Sequence, residues 1–103
     1  MVNQLIAQKL DQLKDLCRKY DVQRLDLFGS GLRTDFDPQR SDLDFVVEFR
    51  NWSVENAFDR YFGLMLDLEE LFGRKIDLVS YRAIRNPYFK QTVDSHRVQL
   101  YAA

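Results

Sequence analysis

Apolar positions recur along this chain in two rhythms. Over residues 3 to 20, Leu5, Ile6, Leu10, Leu13, Leu16, Cys17 and Tyr20 fall at intervals of three or four, which predicts an amphipathic helix with one buried stripe. Over residues 54 to 72 the same period returns in Val54, Ala57, Phe58, Tyr61, Phe62, Leu64, Met65, Leu68, Leu71 and Phe72. That apolar arc is wider than one stripe, and Gly73 is placed to end the helix. Ser53 is its expected N-cap, with Asn56 at the third helical position. Shorter runs follow the other rhythm. Arg24 to Phe28 reads as a first strand, and Asp42 to Phe49 as a second. Along the second, Asp42, Asp44, Val46 and Glu48 share one face, while Leu43, Phe45, Val47 and Phe49 share the other. Lys75 to Val79 predicts a third strand, with Ile76 and Leu78 facing one way and Asp77 the other. Ala83 to Asp94 predicts a last helix, with Pro87 in its first turn and Tyr88 and Val93 inward. Arg97 to Tyr101 adds an edge strand through Val98 and Leu100. Between the first two strands, Gly31, Asp35, Asp37 and Pro38 suit a short helical turn after Ser30 and then an irregular loop.

Helix and strand alternating in this way imply an α/β (α+β) domain, a mixed sheet of about four strands with helices mainly on one face. Residues 1–103 make a single domain, too short for a core plus a separate substrate domain. Charge sharpens the picture. Fifteen basic residues oppose sixteen acidic ones, so the basic excess of a general nucleic-acid binder is missing. Cys17 is the only cysteine and lies on the buried stripe, which excludes an intramolecular disulfide and predicts a packing role in a reducing compartment. The N-terminal MVNQLIAQKLDQ is amphipathic and lacks a signal-peptide core, and no apolar run reaches membrane-spanning length. The expected location is cytoplasmic.

The chemistry lies between Leu27 and Phe49. Asp42 and Asp44 stand about 7 Å apart along one strand face. Unpaired and half buried, two such carboxylates repel each other and lose hydration. Mg²⁺ resolves both problems, because it favours carboxylate oxygen and keeps positions open for phosphate. Gly29-Ser30 offers the complementary half, since glycine permits a turn with positive φ and the following N–H groups can cradle an anion. Asp77, if its strand lies beside the second, completes a three-acid cluster for a two-metal phosphoryl displacement. Asp35 and Asp37 read as loop-solvating, and Glu48 as pointing to solvent. His96, the single histidine, is expected on the surface, which leaves no histidine-based metal site or base for Ser30 or Ser41 as nucleophile.

Gly29-Ser30, eleven intervening residues and Asp42-Leu43-Asp44 resemble the Gly-Ser…Asp-x-Asp signature of the DNA-polymerase-β-like nucleotidyltransferases. With Arg33, Ser41 and the later Asn86-Pro87-Tyr88, the chain resembles the minimal nucleotidyltransferases over essentially its whole length. These are the antitoxin partners of HEPN-domain toxins. The resemblance implies a palm-like sheet, Asp42 and Asp44 bridging two Mg²⁺ ions, and Asp77 binding the catalytic one and helping activate the incoming hydroxyl. It also implies Gly29, Ser30 and Arg33 at the triphosphate of ATP. Thr34 departs from the family's usual glycine, which stiffens the loop.

Nothing in so small a chain holds a large acceptor, so the acceptor must come on another molecule. The resemblance makes that molecule a HEPN ribonuclease toxin, silenced by AMP transfer to a tyrosine. The apolar arc of residues 54 to 72, with Trp52 and Tyr61 nearby, reads first as buried core and second as the docking surface for such a partner. Two other readings compete. One is a non-catalytic antitoxin that masks its partner sterically, which has no use for clustered carboxylates. The other is an enzyme acting on a small hydroxyl compound, which would want the missing second domain.

Overall fold

A computed structural model describes residues 4–29, 42–51 and 53–103. Its elements are α1 (Gln4–Gln8), α2 (Leu10–Lys19), β1 (Val22–Phe28), β2 (Leu43–Phe49), α3 (Val54–Phe72), β3 (Ile76–Ser80), α4 (Pro87–His96) and β4 (Val98–Ala102). The four strands form one sheet in the order β3-β2-β1-β4. β1 runs antiparallel to both neighbours, and β2 and β3 are parallel, joined across the sheet by α3. The sheet is therefore mixed, as the alternation of elements predicts. The helical turn expected after Ser30, the rest of residues 31–41, and Trp52 lie outside the described residues.

Alternation along each strand decides what faces the core. Leu25, Leu27, Phe45, Val47 and Leu78 turn to one side, where they bury against Leu13 and Cys17 of α2 and Leu64 and Leu68 of α3. Cys17 is fully buried, and burial pushes its thiol up to about 12, so it stays a protonated packing group. The other face carries Phe28, Asp44, Val46 and Asp77, and α4 covers part of it. There Phe89 meets Phe28 edge-on at 6.3 Å between ring centroids, and Val93 is fully buried. Among the described residues, helices thus flank both faces, with α4 on the second.

Several boundaries differ from the sequence reading. The first helix breaks at Lys9, whose N–H bonds the Ile6 carbonyl only three residues back and tightens the turn. The last helix begins later than Ala83. Tyr81–Ala83 form a 3₁₀ turn, and Asn86 then caps α4 by accepting from the N–H groups of Tyr88 (2.8 Å) and Phe89 (3.2 Å). Capping at Asn86 sets the phase of α4, and Tyr88 faces outward, 80% exposed, rather than inward. Ser53 occupies the N-cap position of α3 but makes no side-chain cap bond, whereas Gly73 ends the helix in the left-handed conformation as expected.

Two features set α3 against its neighbours. Arg60 of α3 donates to the carbonyls of Tyr20 (3.0 Å) and Asp21 (2.6 Å) and lies over the Phe49 ring at 4.7 Å. It thereby closes the C-terminal end of α2 where Asp21 takes a positive φ. Gly63 lets α3 approach α2 closely. A Cβ there would come within 2.6 Å of Cε1 of Tyr20, whose hydroxyl donates to Asp67 at 2.6 Å.

Gly63→Ala should cost about 1–3 kcal/mol in urea unfolding, through overpacking against Tyr20. In a Tyr20→Ala background the same change should become neutral or stabilising, since alanine is the better helix former. A cost that persists without Tyr20 would place the strain elsewhere.

Candidate active site

β1 delivers the first component. Its last residue, Phe28, pairs with Asp44 across the antiparallel ladder, and Gly29 then turns the chain at φ +65. That conformation suits glycine because an L side chain is strained there. Space imposes a second demand. A Cβ on Gly29 would overlap Oδ2 of Asp44 and lie 3.1 Å from its Cγ. The missing side chain is the room that the Asp44 carboxylate occupies.

β2 and β3 deliver the acids. Their parallel register sets Asp44 beside Asp77, one ladder step after Leu43 beside Ile76. Adjacent strands are about 4.8 Å apart, and registered partners project to the same face. Asp44 is half buried, while Asp77 and Asp42 are exposed. Asp42 immediately precedes β2, two residues before Asp44. The structure therefore brings Gly29, Asp44 and Asp77 to one corner of the sheet, with Asp42 at its entrance. Ser30 and Arg33 lie outside the described residues. Asp77 also acts at a distance. The Tyr61 hydroxyl donates to the Leu78 carbonyl, and burial first, then the charge of Asp77, lift this phenol above its ordinary range.

Carboxylates on two neighbouring strands are the hard-oxygen donor set that Mg²⁺ takes, and the absent Cβ at Gly29 is what lets one of them lie against the turn. Among the described residues, no three acidic, histidine or cysteine side chains are gathered closely enough to hold an ion as they stand. Like charges repel, which opposes gathering Asp42, Asp44 and Asp77 onto one centre without an ion between them. The chemistry of the donors fits the metal.

Sequence reasoning missed the support beneath this corner. Asp26 of β1, on the face of Phe28, is 0% exposed. Its Oδ1 accepts from Arg24 Nε at 2.9 Å, while Oδ2 lies 3.2 Å from Arg97 Nη1, an ion-pair distance without hydrogen-bond alignment. Arg97 also reaches Glu48 (3.2 Å) and Asp94 (3.4 Å) and stacks over Tyr81 at 4.5 Å. Glu48 is therefore tied to the end of α4, where the sequence had it facing solvent. A signal for Asp26 was available, since it alternates with Leu25 and Leu27 and so must share a face with Phe28. Nothing local in the sequence named Arg97 as its partner, seventy-one positions later. His96 is exposed as expected, with Nδ1 2.9 Å from the Thr92 carbonyl.

The turn at Gly29 and the paired acids Asp44 and Asp77 fall within residues 10–100, which match the nucleotidyltransferase domain family. The chain belongs to that family and is a nucleotidyltransferase. Two proteins of Methanocaldococcus jannaschii, both named as candidate protein adenylyltransferases, are each 33% identical to it over 93 residues. These alignments cover 90% and 82% of this chain and 88% and 91% of the relatives. Among solved structures, a candidate minimal nucleotidyltransferase superposes with a TM-score of 0.71 at 27% identity, covering 95% of both chains. The antitoxin chain in a complex of a triply AMPylated Shewanella oneidensis HEPN toxin has the same fold. It superposes with a TM-score of 0.66 at 21% identity over 94% of this chain and 72% of that one.

Gly29→Ala should displace the Asp44 carboxylate and weaken Mn²⁺ binding at least tenfold in a titration followed by water proton relaxation. Gly73→Ala is the control, because Gly73 has φ +63 but nothing within 4 Å of its added Cβ. It should lose about 1 kcal/mol of stability and keep the ion. Equal Mn²⁺ affinity in Gly29→Ala and the unmodified protein would break the link between that turn and the acids.

Proposed function

We propose that this nucleotidyltransferase transfers AMP from ATP to a tyrosine hydroxyl of a cognate HEPN-type toxin and thereby neutralises it. The observation that carries the reading is the pairing of Asp44 with Asp77 across β2 and β3, with Gly29 packed against Asp44. The relatives named as adenylyltransferases support the choice of AMP. The complex containing an AMPylated HEPN toxin supports the choice of partner, and a further toxin–antitoxin structure with AMP-PNP supports the nucleotide.

Asp42, Asp44 and Asp77 would hold Mg²⁺, and Gly29, Ser30 and Arg33 the triphosphate. The bound ions would neutralise charge on the reacting phosphate oxygens. In the transfer the tyrosine oxygen forms a bond to the α-phosphorus, and the bond from that phosphorus to the bridging oxygen of the β-phosphate breaks. Pyrophosphate leaves with the electron pair, and the hydroxyl proton passes to the carboxylate side of the site, where Asp77 is exposed. Intracellular ATP makes this a cytoplasmic reaction, in keeping with the lone buried Cys17. Among the described residues no helix is long and apolar enough to cross a membrane.

The acceptor arrives on the partner, and α3 offers a place for it to land. Leu64, Leu68 and Phe72 bury one side of this helix, but Phe58 is 69% exposed, Leu66 58% and Phe62 39%. Their spacing of four aligns them as one outward stripe, with the Phe58 and Phe62 rings 4.5 Å apart. This stripe is our candidate contact for the HEPN toxin, and the bury-everything reading of the α3 arc holds only for its inner side.

The first test mixes α-labelled ATP, Mg²⁺, this protein and the product of the neighbouring gene, and follows label by mass spectrometry. Label should appear on a partner tyrosine and fall at least a hundredfold with Asp44→Asn. A stable, neutralised complex without label would favour steric masking instead. The second test introduces Glu at Phe58 and Leu66. Partner binding should be lost in gel filtration while Mg-ATP binding persists, and loss of both would return the stripe to the core.

A further inference from the structure

A hollow of about 300 Å³ opens between the end of β3 and the start of α4, lined by Val79, Ser80, Ala83, Ile84, Asn86 and Phe89 among others. Its position relative to the acids is what makes it interesting. Val79 follows Asp77 by two residues, so both side chains leave the same face of β3, about 7 Å apart. Phe89 also lines the hollow and packs edge-on against Phe28, the cross-strand partner of Asp44. The hollow therefore begins one strand repeat beyond the acid pair, on the acid-bearing face.

Its chemistry is as specific as its place. Val79, Ala83, Ile84 and Phe89 give apolar walls, and Phe89 remains 40% exposed although it is a large aromatic ring. The Asn86 carboxamide oxygen is already engaged, accepting from the N–H groups of Tyr88 and Phe89. A volume near 300 Å³ lies at the small end of ligand cavities, enough for one planar ring system but cramped for a whole nucleotide. A different hollow, near Gln23, Glu48 and Tyr81, lies toward the far end of β2, four residues and about 13 Å beyond Asp44.

We propose that the β3–α4 hollow seats the nucleobase of the nucleoside triphosphate, stacked on or against Phe89. The proposal rests on the assignment of Asp44 and Asp77 to the triphosphate end of the substrate. With the α-phosphate at those acids, the ribose bridges one strand repeat and the base enters the hollow. Apolar walls and a stacking ring bind a flat heterocycle, and Ser80, Arg85 and Asn86 are the polar residues that line the hollow.

Calorimetry with two ligands tests this. Mg-ATP carries the base, and Mg-tripolyphosphate carries only the phosphates. Phe89→Ala removes the stacking wall, and Ala83→Trp fills the hollow from an exposed position that leaves the core intact. Both variants should bind Mg-ATP at least tenfold more weakly and Mg-tripolyphosphate as the unmodified protein does. Unchanged ATP affinity in Ala83→Trp, or parallel loss of both ligands in either variant with retained far-UV dichroism, would overturn the nucleobase assignment. If the unmodified protein binds neither ligand, the triphosphate assignment beneath it fails first.

Discussion

The register of the parallel ladder between β2 and β3 is the constraint on which the rest depends. Strand periodicity is two, so sliding β3 by one residue would carry Asp77 to the core side and bring Ile76 or Leu78 out beside Asp44. The burial of Ile76 and Leu78 against the helical layer forbids that slip. Hydrophobic packing on one face thus sets the alignment of carboxylates on the other. Asp44 has its own constraint in Gly29, which holds open the space the carboxylate fills.

Beneath that corner lies a buried arrangement of charge that serves position more than stability. Buried ion pairs lose hydration on folding, and their attraction repays this only when geometry is good. Asp26 meets Arg24 and Arg97 from opposite ends of the chain, and Arg97 is shared with Glu48 and Asp94. One guanidinium therefore joins α4 to β1 and β2. Because α4 also carries Phe89 onto Phe28, this junction fixes the helix that forms one wall of the acid-bearing face.

The sequence was most readable where one residue's role follows from its neighbours. Alternation through Leu43, Phe45 and Val47 placed Asp44 on the opposite face, and Asp77 between Ile76 and Leu78 announced the same arrangement in β3. Gly73 marked a helix end by its own backbone preference, and Pro87 a first turn, although that helix was expected to begin at Ala83. What stayed hidden depended on contacts across the fold. The break at Lys9, the outward turn of Tyr88 and the capture of Glu48 by Arg97 arise from packing or capping that no local pattern encodes. The α3 arc was ambiguous for a related reason, since periodicity measures the width of an apolar surface but not how much of it the domain itself covers.

β1 has a further consequence through its place in the sheet. It is an interior strand, paired on one side with β2 and on the other with β4, so elements from opposite ends of the chain complete its hydrogen bonding. Until Val98–Ala102 emerge from the ribosome, β1 has an open edge and Asp26 lacks Arg97. A nascent chain interrupted before that point holds both acid strands yet cannot close the sheet around them. The strand that completes the sheet and the guanidinium that meets Asp26 thus both come after the two acid strands in the chain.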